Sequence, residues 1–169
     1  LSFDDERFVG TVGFRQNEQT YDAVRMSSSP IKRVAIDVAY LWQVNRFLST
    51  REATASFEGD TYLVNVSVDT PAGRVTGYHY ALDLDDGAGT PVSQVNSSVT
   101  SGASLAGRRY WKDVGLGWRA EYARQSDYAD NPLDYSAEYW RAVATVDLTA
   151  ISFTAAHEAL GEGRARAFQ

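Results

Sequence analysis

The chain has 169 residues, an apolar fraction of 44%, a net charge of −6 and a pI near 4.9. That length supports one domain with a real core, over 1–169, and the acidic balance argues against nucleic acid as a partner, since phosphate binding wants a basic surface. The absence of cysteine removes disulfide frameworks, thiolate metal sites and cysteine catalysis, and no run approaches the roughly 18 apolar residues of a transmembrane helix.

Helical periodicity is nearly absent, and period-two alternation recurs. The pattern predicts about nine strands, at 7–15, 21–28, 31–44, 60–69, 74–84, 95–108, 113–125, 134–146 and 150–160. In "RVAIDVAYLWQVN", Val34, Ile36, Val38, Tyr40 and Trp42 share one face, opposite Arg33 and Asp37. In "TYLVNVSVD", Tyr62, Val64 and Val66 share a face, opposite Asn65 and Asp69. In "RVTGYHYALDL", Tyr78 and Tyr80 stand opposite His79 and Asp83. In "VGLGWRAEYARQSD", Leu116, Trp118 and Tyr122 stand opposite Arg119 and Glu121. The strand at 134–146, "YSAEYWRAVATV", has mixed faces: Tyr139 sits with Arg141, and Trp140 with Glu138.

The links between strands alternate in length. "SSSP", "TPAG", "RYWK" and "DLT" are tight turns, while "QNEQT", "RFLSTREATASFEG", "DDGAGTPVSQ" and "QSDYADNPL" are long. In an up-and-down meander this collects every short turn at one end and every long loop at the other, as in outer-membrane barrels. Several strands are long enough for the about 9–11 tilted residues that span a bilayer. Tyr40, Trp42, Tyr62, Tyr80 and Tyr122 fall toward strand ends on apolar faces, where interfacial girdles lie. The fold expected is therefore all-β: an antiparallel meander forming part of a transmembrane barrel. A soluble barrel has the same alternation turned inside out.

"VGFRQNEQTYDA" (Val12–Ala23) carries a resemblance, together with "VNRF", "GYHYALDLDD", "EYARQSDYADNP" and "HEALGEG" in the same order. With these segments the chain resembles the alginate export family of bacterial outer-membrane β-barrels. The resemblance implies a porin-like channel in the outer membrane of a Gram-negative cell. It implies membrane lipid as one partner and a hydrophilic solute, such as an anionic saccharide or uronate, as the other. Family members are longer, so this chain, which opens at "LSFDDERF" without an initiator methionine, is expected to be a fragment. The family's best-known members use an arginine-lined constriction; here the expected lumen face mixes signs, which does not support alginate selectivity.

The expected lumen-lining residues are Arg15, Asn17, Arg25, Arg33, Asp37, Asp83, Arg119, Glu121, Glu138 and Glu158. The expected lipid-facing residues are Val34, Ile36, Val38, Tyr40, Trp42, Tyr62, Val64, Val66, Tyr78, Tyr80, Leu116, Trp118 and Tyr122. Arg119 and Glu121 project one pleat apart on one face. They either tune solute passage or satisfy each other in a polar interior. The acidic loops "DLDDG" and "DYADNPLD" lack the full spacing of a calcium loop, so no metal and no cofactor is expected. His79 and His157 sit in no nucleophile motif, which argues against an enzyme. The contrasting readings are a soluble or periplasmic binding barrel with an apolar interior and an outer-membrane hydrolase using His79.

Overall fold

The computed structural model describes residues 19–46, 55–85 and 91–162. Eight strands follow one another: β1 (Thr20–Ser28), β2 (Val34–Asn45), β3 (Ser56–Thr70), β4 (Gly73–Leu82), β5 (Ser98–Trp111), β6 (Val114–Asp127), β7 (Ser136–Asp147) and β8 (Ser152–Leu160). They form a single sheet in sequence order, every neighbouring pair antiparallel. One four-residue helix, α1 (Pro91–Gln94), lies between β4 and β5. No helix among the described residues is long and apolar enough to cross a membrane, which has no bearing on crossing by strands. The strand expected at 7–15 lies outside the described residues.

Chain direction places the links as the sequence alternation predicts. Two residues join β3 to β4 and β5 to β6, and Leu148 and Ile151 close the β7–β8 turn with reciprocal backbone hydrogen bonds. The long links all fall at the opposite end. β5 runs through Trp111, so the turn expected at "RYWK" falls later, at Lys112–Asp113, with Lys112 at φ 51°. Gly73 closes the β3–β4 turn at φ +124°, where an added Cβ would lie 2.3 Å from the Ala106 carbonyl oxygen. The β2–β3 register breaks between Leu41 and Gln43, leaving Trp42 at the irregularity.

The sheet has two chemically different faces, and β7 shows them most clearly. Ser136, Glu138, Trp140, Ala142, Ala144 and Val146 are exposed, while Ala137, Tyr139, Arg141, Val143, Thr145 and Asp147 are buried or half-buried. The sheet curls so that residues from β2–β4 meet residues from β6 and β7 on its inner side. Ala39, Leu41, Leu63, Tyr78, Tyr80, Ala123, Ala137 and Tyr139 make one cluster there, with Leu63 and Tyr80 wholly buried. The outer face keeps large apolar side chains in the open: Val24, Met26, Tyr62, Val66, Val75, Leu116, Trp140 and Phe153 are all exposed. Contiguous exposed apolar surface on this scale marks a membrane or protein interface.

Candidate channel-lining face

Strand parity and register build the inner face. Cross-strand neighbours run Asn65–Tyr78–Gly102–Ala123–Tyr139 in one row and Ser104–Glu121–Arg141–Glu158 in the next. The face divides along the strands. Toward the long loops it is filled by the tyrosine and leucine cluster. Toward the short turns it carries paired charges.

The pairs follow from register and parity. Arg25 on β1 reaches Asp37 on β2, its Nε donating at 2.8 Å, and Ser27 donates to the same carboxylate at 3.1 Å. At the β3–β4 turn Arg74 grips Asp69 through two bonds of 2.7 and 3.2 Å. Arg108 lies 3.4 Å from Asp147. Deeper in, the Arg119 guanidinium sits 3.1 Å from Glu121, whose side chain is only 1% exposed. A carboxylate so far from water needs hydrogen-bond partners. Tyr78 supplies one, its hydroxyl donating to Glu121 Oε1 at 3.0 Å. Tyr80 stacks on Tyr78 with ring centroids 5.2 Å apart and donates to Asn65 at 2.6 Å. Tyr139 donates to Glu158. The inner aromatics are therefore polar anchors as well as packing.

Glycines make room for this. A Cβ on Gly102 would lie 2.4 Å from Tyr78 Cζ, so the phenol ring lies across the bare backbone of its cross-strand neighbour to reach Glu121. Tyr110 covers Gly115 and Trp118 covers Gly107 in the same manner, each a registered cross-strand pair. Aromatics covering strand glycines in this way restore packing that a glycine alone forfeits.

The outer face forms a band with margins. On β6 the apolar side chains run from Val114 to Tyr122, a distance of about 27 Å along the strand at ~3.4 Å per residue. At a tilt of roughly 35–45° that is about 19–22 Å of height, close to the roughly 25 Å apolar band of an outer-membrane barrel. Aromatics gather at its long-loop margin. Tyr40 contacts Trp42 and Tyr62 at centroid distances of 6.1 and 5.1 Å, and Tyr122 contacts Trp140 at 4.3 Å. The Tyr40 hydroxyl donates to Asp60 at 2.5 Å and that of Tyr122 to Glu138 at 3.2 Å. Each ring thus has an apolar body and a polar tip, the arrangement favoured at a membrane–water boundary.

The sequence-predicted residues separate accordingly. Arg25, Asp37, Arg119, Glu121 and Glu158 lie on the inner face. Arg15 and Asn17 lie outside the described residues. Arg33 is not on a strand face: it closes the β1–β2 turn at φ 71°, its carbonyl accepting from Asp69. Asp83 follows the end of β4 in the long-loop region, where burial first and then the charges of Asp130, Asp60 and Asp85 push its carboxyl above the usual range. Glu138 is corrected to the outer face, paired in register with Arg124 above Trp140. Among the expected lipid-facing residues, Val34, Ile36, Val38, Tyr40, Tyr62, Val64, Val66, Leu116, Trp118 and Tyr122 share the outer face by register.

Tyr78 and Tyr80 are corrected to the inner face, opposite Asn65 and Leu63. The error has a physical source: a tyrosine reads as apolar in a binary pattern, yet its hydroxyl serves as a buried polar partner here. The companion residue His79 accordingly turns outward, its Nδ1 2.8 Å from Ser101 Oγ, away from the inner charges. Arg141 and Tyr139 escaped prediction because β7 reads as mixed on both faces; pairing Arg141 with Glu121 and Glu158 required the register. Among the described residues, no group of three or more histidines or carboxylates is placed to hold a metal ion.

Neither a protein-family model nor a curated protein sequence matches the chain, so the resemblance to the alginate export family gains no support. The fold is similar to the crystal structure of OccAB2 from Acinetobacter baumannii, an outer-membrane channel barrel. The TM-score is 0.58 at 18% identity, covering 86% of this chain. The chain spans 38% of the length of OccAB2. Its eight antiparallel strands thus match part of an outer-membrane barrel.

Proposed function

We propose that the chain forms part of the wall of a porin-like channel in the bacterial outer membrane, passing a hydrophilic solute by diffusion and catalysing nothing. The observation that carries this reading is the division of the sheet. Large apolar side chains stand exposed on its outer face, and paired charges and hydrogen-bonded tyrosines occupy its inner face. The similarity to part of OccAB2 supports it. So does chain economy: β1 and β8 do not pair with each other among the described residues. A sheet in lipid must close, because unpaired backbone groups are costly there. Further strands would complete the ring.

The lining favours some solutes over others. Each of Arg25, Arg74, Arg108 and Arg119 faces an acid, so among the described residues the inner face offers no unopposed positive track for a polyuronate. Small neutral or zwitterionic solutes suit it better. A soluble binding barrel would leave Val66, Trp140 and Phe153 in water. A hydrolase built on His79 would work from the outer face, away from the lumen. The test is single-channel recording from the protein that contains this chain, in planar bilayers. Discrete conductance steps are expected; a current equal to that of the bare bilayer would refute the reading.

A further inference from the structure

One feature of the outer wall exceeds what a uniform lipid-facing band requires. Beside Tyr122 and Trp140 the apolar surface dips into a depression of about 500 Å³. Its floor is Ala103, Ala120 and Ala142, and Val75, Leu105 and the tilted Tyr122–Trp140 pair form its walls. Register places all seven side chains on the outer face. Small residues beside bulky ones leave a slot suited to a flexible hydrocarbon chain.

Just beyond the slot on the long-loop side lies a polar row, His79–Ser101–Arg124–Glu138, in cross-strand register. Arg124 follows Tyr122 by one pleat on the same face, about 7 Å along the strand. It is exposed, and its Nε donates to Ser136 at 2.8 Å. That bond leaves the terminal guanidinium nitrogens open, and among the described residues no carboxylate lies within ion-pair distance of them. Its registered neighbour Glu138 accepts instead from the Tyr122 hydroxyl at 3.2 Å. An arginine held in place just outside an apolar slot, at the aromatic margin of a membrane band, is placed to meet a phosphate.

We infer that this surface is a lipid site for an anionic phospholipid: the slot takes one of its acyl chains, and Arg124, with Ser101 and His79 beside it, takes the phosphate, whose charge no choline offsets. The inference rests on the outer-membrane reading, and the experiment separates the two. The protein containing this chain is reconstituted in phosphatidylcholine vesicles, extracted in mild detergent, and titrated with phosphatidylglycerol while native mass spectrometry counts bound lipid. One phosphatidylglycerol is expected to be retained. Arg124→Gln is expected to weaken that binding at least fivefold, and Ala142→Trp, which fills the slot, to do the same. Arg109→Gln, at the turn end, is the control and leaves binding unchanged. Circular dichroism confirms that each variant keeps its sheet. Equal retention by wild type and Arg124→Gln overturns the lipid site, as does phosphatidylcholine held as tightly as phosphatidylglycerol. A dimer that buries Ala142 and excludes lipid also overturns it, assigning the slot to a second copy. Failure to enter phosphatidylcholine vesicles at all refutes the membrane reading itself, and the lipid site with it.

Discussion

Replacing Gly102 with alanine tests the inner network at one atom. The new Cβ would lie 2.4 Å from Tyr78 Cζ and Oη and 2.7 Å from the backbone oxygen of Tyr122. The ring can swing away, but the backbone oxygen belongs to the β5–β6 ladder and cannot move far. Swinging the ring breaks its 3.0 Å bond to the buried Glu121 carboxylate, worth about 1.5–3 kcal/mol for a charged acceptor. The residual crowding adds about 1–3 kcal/mol, for a total of roughly 2–5 kcal/mol, since the two terms overlap in part. Gly77 is the matched control, because nothing lies within 4 Å of an added Cβ there, and Gly77→Ala should stay within about 0.5 kcal/mol of wild type. The assay is reversible guanidinium unfolding in lipid vesicles, followed by tryptophan fluorescence. In a Tyr78→Ala background the Gly102→Ala cost should shrink, because the obstructing ring is gone. An unchanged midpoint for Gly102→Ala would refute the ring-over-glycine reasoning.

Charge on the two faces should act differently. Val66→Arg, on the outer face, is expected to destabilise the inserted protein by about 2–4 kcal/mol, whereas Ser67→Arg, its inner-face neighbour, should cost under about 1 kcal/mol; vesicle unfolding compares them. Glu121→Gln keeps an acceptor for Tyr78 but removes the charge beside Arg119, so zero-current potentials in a salt gradient should shift toward anion preference. For Asp83 the folded carboxyl binds its proton more tightly than the unfolded one, so its charge weakens the fold above the raised folded value and that penalty disappears as pH falls below the unfolded value. Asp83→Asn should therefore raise the unfolding midpoint at pH 7 and leave it unchanged near pH 3.

Much of the fold was legible because an up-and-down β wall repeats one rule, alternation, and one asymmetry, short turns against long loops. Val34 through Tyr40 and Val114 through Tyr122 obey the rule without exception, and their outer face could be read directly. The inner site was less legible. Tyr78 and Tyr80 look greasy in a binary pattern, and only the β3–β4 register shows that they oppose Asn65 and Leu63. Glu138 looks like a lumen charge until β7 is paired with β6, when it falls beside Arg124 under the Tyr122 hydroxyl. Arg33 was read as a strand residue because the strand pattern runs back through it, while the turn takes it at positive φ. For the tyrosines and Glu138 the missing information was which strand lies opposite, a non-local fact that periodicity does not encode; for Arg33 it was where the turn falls.

The central claim is that one face of the sheet meets lipid and the other meets water. The chain has no cysteine, so single cysteines can be placed in turn along β7 from Trp140 to Val146 in vesicle-inserted protein. A fluorophore at 140, 142, 144 and 146 should be quenched by lipids brominated in their acyl chains. Cysteines at 141, 143 and 145 should instead react with a charged, water-soluble thiol reagent. Strict alternation of the two readouts is the predicted result; uniform reagent access at all seven positions, or alternation of the opposite phase, would contradict the account.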